Sequence, residues 1–173
     1  MKKIFTLCIT LITAATLFAG NAQTSVGLVG GLGLGGQAKF MFGENFGLIE
    51  ELGYFFCPDG GTAQKYGRAS YAGMVNNTVF VYQRPIKKMA AFQLDWYAGG
   101  QAKIGWMPID YDNNVHLGVF GLATAGGIEV KIKEAPISLS CDFRPGWAML
   151  FTDQGVGTHM FDYSFNLGVR YRL

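Results

Sequence analysis

The sequence predicts an all-β fold: a transmembrane, antiparallel, up-and-down β-barrel of about eight strands that follows a cleaved N-terminal signal peptide. Half of the 173 residues are hydrophobic and 15% are charged, whereas a soluble domain carries about 25% charged residues. Many segments alternate apolar and polar residues with a period of two, which is the pattern of a strand with two different faces. Beyond residue 22, no apolar run is long enough for a membrane-spanning helix.

Composition and charge limit the class of protein. The length suits one domain, and 25 glycines with 25 aromatic residues suit short strands, tight turns and an apolar surface rather than a disordered chain. The net charge is +2, and no run of Lys and Arg occurs. We therefore expect no nucleic-acid partner.

The first residues have the features of a secretory signal. Lys2 and Lys3 precede an apolar stretch at 4–18, and small residues at 19–22 offer a cleavage site. The apolar stretch is shorter than the roughly 20 residues of a spanning helix, which favours a signal peptide over an anchor. We predict a signal peptide at 1–22, export through the Sec pathway, and a barrel domain at 23–173.

The first half of the barrel is predicted as four strands. A glycine-rich hairpin joins the first two, and Gly43-Glu44-Asn45 is a turn signal before the third. The fourth strand has an ambiguous phase because residues 79–82 are all apolar or aromatic. Glu50 fits badly, since it shares a face with apolar residues, and we expect a β-bulge to turn it inward. The predicted strands are 24–31, 33–42, 46–56 and 72–83.

The second half is predicted as four longer strands that alternate more clearly. The predicted strands are 91–106, 116–132, 137–150 and 161–173, and short connections at 84–88 and 133–136 contrast with longer ones at 57–70, 107–114 and 152–159. Short periplasmic turns and longer outer loops are typical of outer-membrane barrels. An even number of strands places both termini on the periplasmic side.

The last strand shows the alternation best. Small, polar or charged residues fill its even-numbered positions, and the odd-numbered positions are bulky and apolar. One face of this strand is therefore suited to hydrocarbon. The residues expected to face lipid are Phe161, Tyr163, Phe165, Leu167, Val169 and Tyr171.

Side-chain volume indicates which face of the barrel points outward. An interior of eight strands is only just filled by side chains, so the bulky apolar face does not fit inside. The charged residues then lie in the lumen, where they need partners, and we predict a salt-bridge network that closes it. Loose charges in a hydrated lumen are the alternative. The predicted network comprises Lys39, Glu51, Asp95, Lys103, Glu129, Lys131, Asp142, Arg144, Asp162, Arg170 and Arg172.

The chain resembles the OmpA/OmpX-like family of small outer-membrane β-barrels. The strand at 35–42, the acidic turn at 43–45 and the strand at 46–56 look like the family's hairpin, and the segment 142–147 looks like a family strand. The tail at 165–173 looks like the closing strand that the barrel-assembly machinery recognises, although Leu173 stands where the family usually ends in Phe. The resemblance implies a bacterial outer-membrane location, contact with lipid and lipopolysaccharide, and a structural, adhesive or resistance-related role.

Catalytic chemistry has little support in the sequence. A lipid A-modifying barrel needs a Ser/His arrangement with an orienting acid, and the histidines are His116, which has no suitable serine, and His159, near Asp162 at the outer rim. The segment 110–114 faintly resembles a calcium loop but lacks its acidic spacing. We predict no catalytic site, cofactor or metal. Cys57 is expected at the outer rim and Cys141 well inside a different strand, which disfavours a disulfide between them but leaves it open.

The function predicted from the sequence is a non-enzymatic outer-membrane protein with a structural role or a surface-interaction role through its longer loops. The sequence leaves three alternatives open: a lipid A-modifying enzyme, a narrow channel, and a secreted soluble ligand-binding barrel. The extracellular ligand stays unknown at this level.

Overall fold

The computed structural model describes residues 23–31, 33–57, 71–109, 115–152 and 155–173. The predicted signal peptide lies outside these residues. The described chain forms eight strands, and none of it forms a helix long and apolar enough to cross a membrane. The strands are β1 (Gln23–Gly30), β2 (Gly33–Phe42), β3 (Phe46–Cys57), β4 (Tyr71–Lys88), β5 (Phe92–Ile109), β6 (Val115–Ile132), β7 (Ile137–Thr152) and β8 (Gly155–Arg172).

The strands close into one antiparallel barrel in which each strand pairs with the next and β8 pairs with β1. This topology confirms the predicted all-β, antiparallel, up-and-down barrel of eight strands. The turns after β2, β4 and β6 lie with Gln23 and Leu173 at one end of the barrel, called here the terminal end. The Leu173 amide donates to the Thr24 carbonyl at 2.9 Å, which fastens the chain ends together there.

Three of the predicted connections are shorter in the structure. Residues 84–88 were expected to form a turn but continue β4, with a register shift between Pro85 and Lys87, because a bulge accommodates a proline that cannot donate to the ladder. Residues 107–109 extend β5, and 115 begins β6, so only 110–114 of the predicted loop lies outside the described residues. Residues 155–159 belong to β8 rather than to a loop at 152–159.

The register of β4 resolves the ambiguous phase of its apolar run. Val79 and Val81 are fully buried inside the barrel, while Phe80 is more than half exposed on the outer face. Tyr82 points outward as well and stacks edge-to-face on Phe46, with ring centroids 5.3 Å apart. The run is apolar throughout because this side of the interior has its own apolar cluster, formed by Ile49, Val79, Val81, Tyr97 and Ala125.

The predicted bulge at Glu50 is wrong. β3 pairs residue by residue with β2 and β4 through this position, without a register shift, so Glu50 stays on the outer face. Its carboxylate accepts a hydrogen bond from the Thr78 hydroxyl at 3.0 Å and a longer one from the Asn76 amide at 3.5 Å. These neighbours on β4 hold the carboxylate on the outer face, so no bulge turns it inward.

Inward-facing glycines let neighbouring strands approach closely. Gly35 on β2 faces Gly53 on β3, and a Cβ on Gly35 would lie 2.6 Å from the Leu52 carbonyl oxygen. At the closing seam, a Cβ on Gly27 would collide with the Val169 carbonyl of β8. Only glycine fits such positions in a narrow barrel.

Candidate functional site

The candidate site is the charged interior of the barrel. Period-two alternation turns every second side chain of each strand inward, and this places charged residues of six different strands in one enclosed space. Three groups of contacts divide the interior, one in the middle, one toward the terminal end and one toward the opposite end.

The middle of the interior is organised by Arg144 on β7. Its guanidinium donates two parallel hydrogen bonds to the Glu51 carboxylate on β3, both at 2.7 Å. The same guanidinium donates to Asp142 at 2.7 and 2.8 Å, and the Tyr97 hydroxyl donates to Asp142 at 2.7 Å. All four side chains are buried, and paired, planar contacts of this kind are the strong form of a charge-assisted hydrogen bond.

Glu129 on β6 organises the interior toward the terminal end. It forms ion pairs with Lys39 at 2.6 Å and with Arg170 at 2.7 Å, so that strands β2, β6 and β8 meet at one carboxylate. The Gln83 amide donates to Glu129 at 2.8 Å, and the Gln37 carbonyl accepts from Arg170 at 2.8 Å. One buried carboxylate on β6 thus holds two cations, which come from the two strands that flank β1.

Asp95 extends this group. It pairs with Lys131 at 2.7 Å and accepts hydrogen bonds from Gln83 and Gln93, both at 2.7 Å. Arg172, nearer the chain end, donates instead to the Ile132 and Ala135 carbonyls. Arg172 therefore secures the turn after β6 and takes no part in an ion pair among the described residues.

Lys103 and Asp162 form the third group, toward the end opposite the termini. Their side chains are about one-fifth exposed. Around them the inward face becomes apolar, with Val75, Val119 and Leu150 buried. This end of the described interior therefore has fewer charges than the middle.

The structure brings together the residues that the sequence assigned to the lumen. All eleven point inward or toward the turn after β6, and ten of them form ion pairs. Sequence reasoning missed the neutral groups that join the ions. Each of these groups occupies an inward-facing position of its strand, so the period-two alternation was the signal that could have found them. They are Gln37, Asn77, Gln83, Tyr97, Gln101 and Asn166.

Few buried polar atoms are left without a partner. Among the described residues they are Ser138 Oγ and the Nε atoms of Arg170 and Arg172. Since an unmade hydrogen bond on a buried group costs about 1–3 kcal/mol, the interior is close to complete as a network. A cavity of about 400 Å³ opens beside it at the terminal end, lined partly by Lys39, Lys131 and Arg172.

The possible catalytic groups do not converge. His159 and Asp162 lie on opposite faces of β8, because His159 is exposed on the outer face and Asp162 pairs with Lys103 inside. The His116 side chain and the segment 110–114 lie outside the described side chains. Within the described part of the chain, no group of three or more His, Cys, Asp or Glu residues is placed to hold a metal ion.

The outer face of the barrel is mainly apolar, in contrast to the charged interior. On β8 the six residues predicted to face lipid are each between 53% and 60% exposed, so they are not covered by protein. Cys141, also on the outer face, is a free thiol, and the Cys57 side chain lies outside the described side chains. The apolar exposed surface continues around the wall through residues such as Leu122, Phe143 and Trp147.

Solved structures of two outer-membrane proteins are similar to this chain. A major outer membrane protein from Thermus thermophilus superposes with a TM-score of 0.50 at 16% sequence identity, covering 88% of this chain and 100% of that one. Neisserial surface protein A superposes with a TM-score of 0.48 at 9% identity, covering 88% and 94%. No family model and no curated protein matches the sequence, so the resemblance to the OmpA/OmpX-like family stays a prediction.

Proposed function

We propose that the protein is an integral, non-enzymatic β-barrel of the bacterial outer membrane with a structural or surface-interaction role. One observation carries the proposal: the polarity of the barrel is inverted relative to a soluble protein. Charged residues such as Glu129 and Arg170 are almost fully buried, while bulky apolar residues such as Phe161 and Leu167 are more than half exposed.

Such a surface is stable only in an apolar solvent. Monomeric soluble proteins rarely expose contiguous apolar patches above a few hundred Å², whereas a spanning barrel needs an outward apolar band about 25 Å tall. Closure supports the same interpretation, because a closed barrel leaves no unpaired strand edge in the hydrocarbon region. A secreted soluble ligand-binding barrel would require the opposite arrangement of faces.

The contacts inside the barrel support a lumen that does not conduct. Arg144 and Glu51 bridge β7 and β3, and Lys39, Glu129 and Arg170 join three further strands. The apolar cluster around Val79 occupies the remaining side of the interior. A structural role follows from a closed interior, and any surface interaction would fall to the end opposite the termini.

The route to the membrane is part of the proposal. Residues 1–22 would direct export through the Sec pathway and be removed. The barrel-assembly machinery would recognise the C-terminal strand, whose outward face from Phe161 to Tyr171 would then contact outer-membrane lipid and lipopolysaccharide. β8 is also the strand that closes the barrel on β1.

Membrane fractionation combined with heat-modifiability on a gel tests the proposal. We expect the mature protein in the outer-membrane fraction, resistant to extraction by carbonate or urea. We also expect a compact, faster-migrating band without boiling that shifts after boiling. Mature protein that stays monodisperse in detergent-free buffer would overturn the proposal, because the exposed apolar wall would then be compatible with water.

A further inference from the structure

The outer wall of the barrel carries a polar group of residues at mid-height. Glu50, Asn76 and Thr78 lie side by side on β3 and β4, all on the outward face. The exposed charged residues of the adjacent β4 lie at the terminal end, at Arg84, Lys87 and Lys88. Glu50 is therefore set apart from the places where an exposed charge reaches water.

The height of Glu50 follows from the aromatic residues above and below it. On β3 it lies four residues from Phe46 at the terminal end and four from Tyr54 at the other, which is roughly 13 Å along the strand in each direction. Phe46 contacts Tyr82, and the register places Tyr54 beside Met74, the partner of Trp106. Aromatic residues of this kind mark the two interfaces of a membrane, so Glu50 lies near the bilayer midplane.

We propose that Glu50, Asn76 and Thr78 form the centre of an intramembrane interface with a second copy of this chain. The proposal rests on the membrane location proposed above. A carboxyl group in hydrocarbon is costly and normally has a dedicated partner, and the partners of Glu50 within the chain are incomplete. The Asn76 amide reaches Glu50 only at 3.5 Å and donates better, at 3.1 Å, to the Glu51 carbonyl.

Symmetry identifies the second copy as the fitting occupant. Two copies inserted in the same direction are related by a two-fold axis along the membrane normal, so groups meet their counterparts at equal height. Each Asn76 amide can then donate to the Glu50 carboxylate of the other copy, and the same contact occurs twice. In the register Thr78 lies opposite Glu50, and Asn76 lies opposite Leu52, two residues further along β4. The patch therefore has donors and an acceptor close together, which makes it self-complementary.

Small residues lie on both sides of the polar group. In the register, Glu50 is flanked by Ala38 on β2, and Thr78 by Ala102 on β5. Gly36 and Gly100, one step away, are exposed. Small residues allow protein surfaces to approach closely inside a bilayer, where packing and hydrogen bonds drive association.

The experiment is sedimentation equilibrium of the full mature protein in density-matched detergent micelles, with fluorescence energy transfer in lipid vesicles as a second measurement. We expect a reversible dimer. Glu50→Leu should raise its dissociation constant about tenfold, because two reciprocal hydrogen bonds are lost, and Glu50→Gln should retain the dimer since a carboxamide still accepts. Glu50→Leu should not destabilise the folded monomer, because leucine is favoured against lipid.

A matched pair of bulky substitutions separates this face from the rest of the wall. Ala102→Phe should weaken the dimer, whereas Val169→Phe, on β8 at the opposite side of the barrel, should leave it unchanged. A protein that inserts but stays monomeric, or whose dimer survives Glu50→Leu and Ala102→Phe, overturns the interface alone. A protein that remains in water without detergent overturns the proposed function itself.

Discussion

Arg144 and Glu51 join opposite parts of the barrel wall through two parallel hydrogen bonds, each 2.7 Å long. Both side chains are almost fully buried, so each charge is stable inside the barrel only because the other charge compensates it. The pair links β7 to β3, and the contacts of Arg144 with Asp142 extend it along β7.

Removal of one partner of this pair should destabilise the barrel strongly. We expect Arg144→Met to lower the free energy of unfolding by about 3–5 kcal/mol, because Glu51 and Asp142 would be buried without their cation. The measurement is urea unfolding in lipid vesicles, monitored by the loss of the heat-modifiable band. Lys87→Met, at an exposed position with no ion pair to the described residues, should stay within about 0.5 kcal/mol. Equal losses for both variants would contradict the buried pair.

The closing seam should not tolerate a methyl group at Gly27. A Cβ there would collide with the Val169 carbonyl, so we expect Gly27→Ala to cost about 1–3 kcal/mol or more. Gly36→Ala is the control, since its Cβ would have only the Gly27 carbonyl oxygen at 4.0 Å. The folded fraction after refolding into vesicles measures both. If the Gly27→Ala barrel closes as well as the Gly36→Ala barrel, then the close approach of β1 and β8 at Gly27 is contradicted.

The outward face of β8 should show the depth dependence of a lipid-facing wall. We expect Leu167→Arg to destabilise the barrel by about 2–4 kcal/mol, and Tyr171→Arg, close to the terminal end, by about 0–1 kcal/mol. Unfolding from vesicles provides the two values. Nitroxide labels at Phe165 and Leu167 should report lipid, and a label at Asn166 should report the protein interior. The reverse pattern of labels would mean that the faces are inverted.

The wild-type barrel should not conduct ions. We expect no stepwise current in planar bilayers, because the groups around Arg144 and Glu129 occupy the interior. The double variant Glu51→Ala and Arg144→Ala removes two long side chains from its middle and should produce small, resolvable current steps. Protein inactivated by boiling is the control for leakage caused by detergent. Steady wild-type currents would favour the narrow channel instead.

Lipid A should be the same with and without a functional copy of this protein. His159 and Asp162 lie on opposite faces of β8, so they do not form the pair that a rim hydrolase requires. Mass spectrometry of lipid A from the parent strain, a deletion strain and a strain with His116→Ala and His159→Ala should give three identical spectra. A change in the variants that matches the deletion would support the enzymatic alternative.

Much of the fold follows from the sequence because the signal is periodic and local. Strict alternation from Phe161 to Tyr171 specifies which side of β8 points outward, and the acidic turn containing Gly43, which has a φ of 67°, specifies the second hairpin. The strand bounds at 33–42 and 137 onward agree closely with the predictions. Pairing with immediate neighbours then follows from an up-and-down order.

The wrong predictions concern positions whose structure depends on residues of a neighbouring strand rather than on the local sequence pattern. Pro85 was expected to end β4, but β5 continues opposite it and a register shift accommodates the ring. Glu50 was expected to turn inward, but Thr78 and Asn76 on the adjacent strand supply its hydrogen bonds on the outside. The apolar side of the interior at Ile49 and Val79 was missed because an inward face was assumed to be polar throughout.

The ion pairs of the interior join residues that are far apart in sequence: Lys39 and Glu129 are separated by 90 positions, and Glu51 and Arg144 by 93. Contacts with such separations form late, since the loop entropy must be lost before they contribute. A hairpin that inserted alone would therefore expose a charged side chain to hydrocarbon without its partner, for example Lys39 without Glu129. The least costly route is concerted insertion, in which all the strands curl into the barrel and enter the bilayer together. A chain that lacks β8 would leave Glu129 without Arg170.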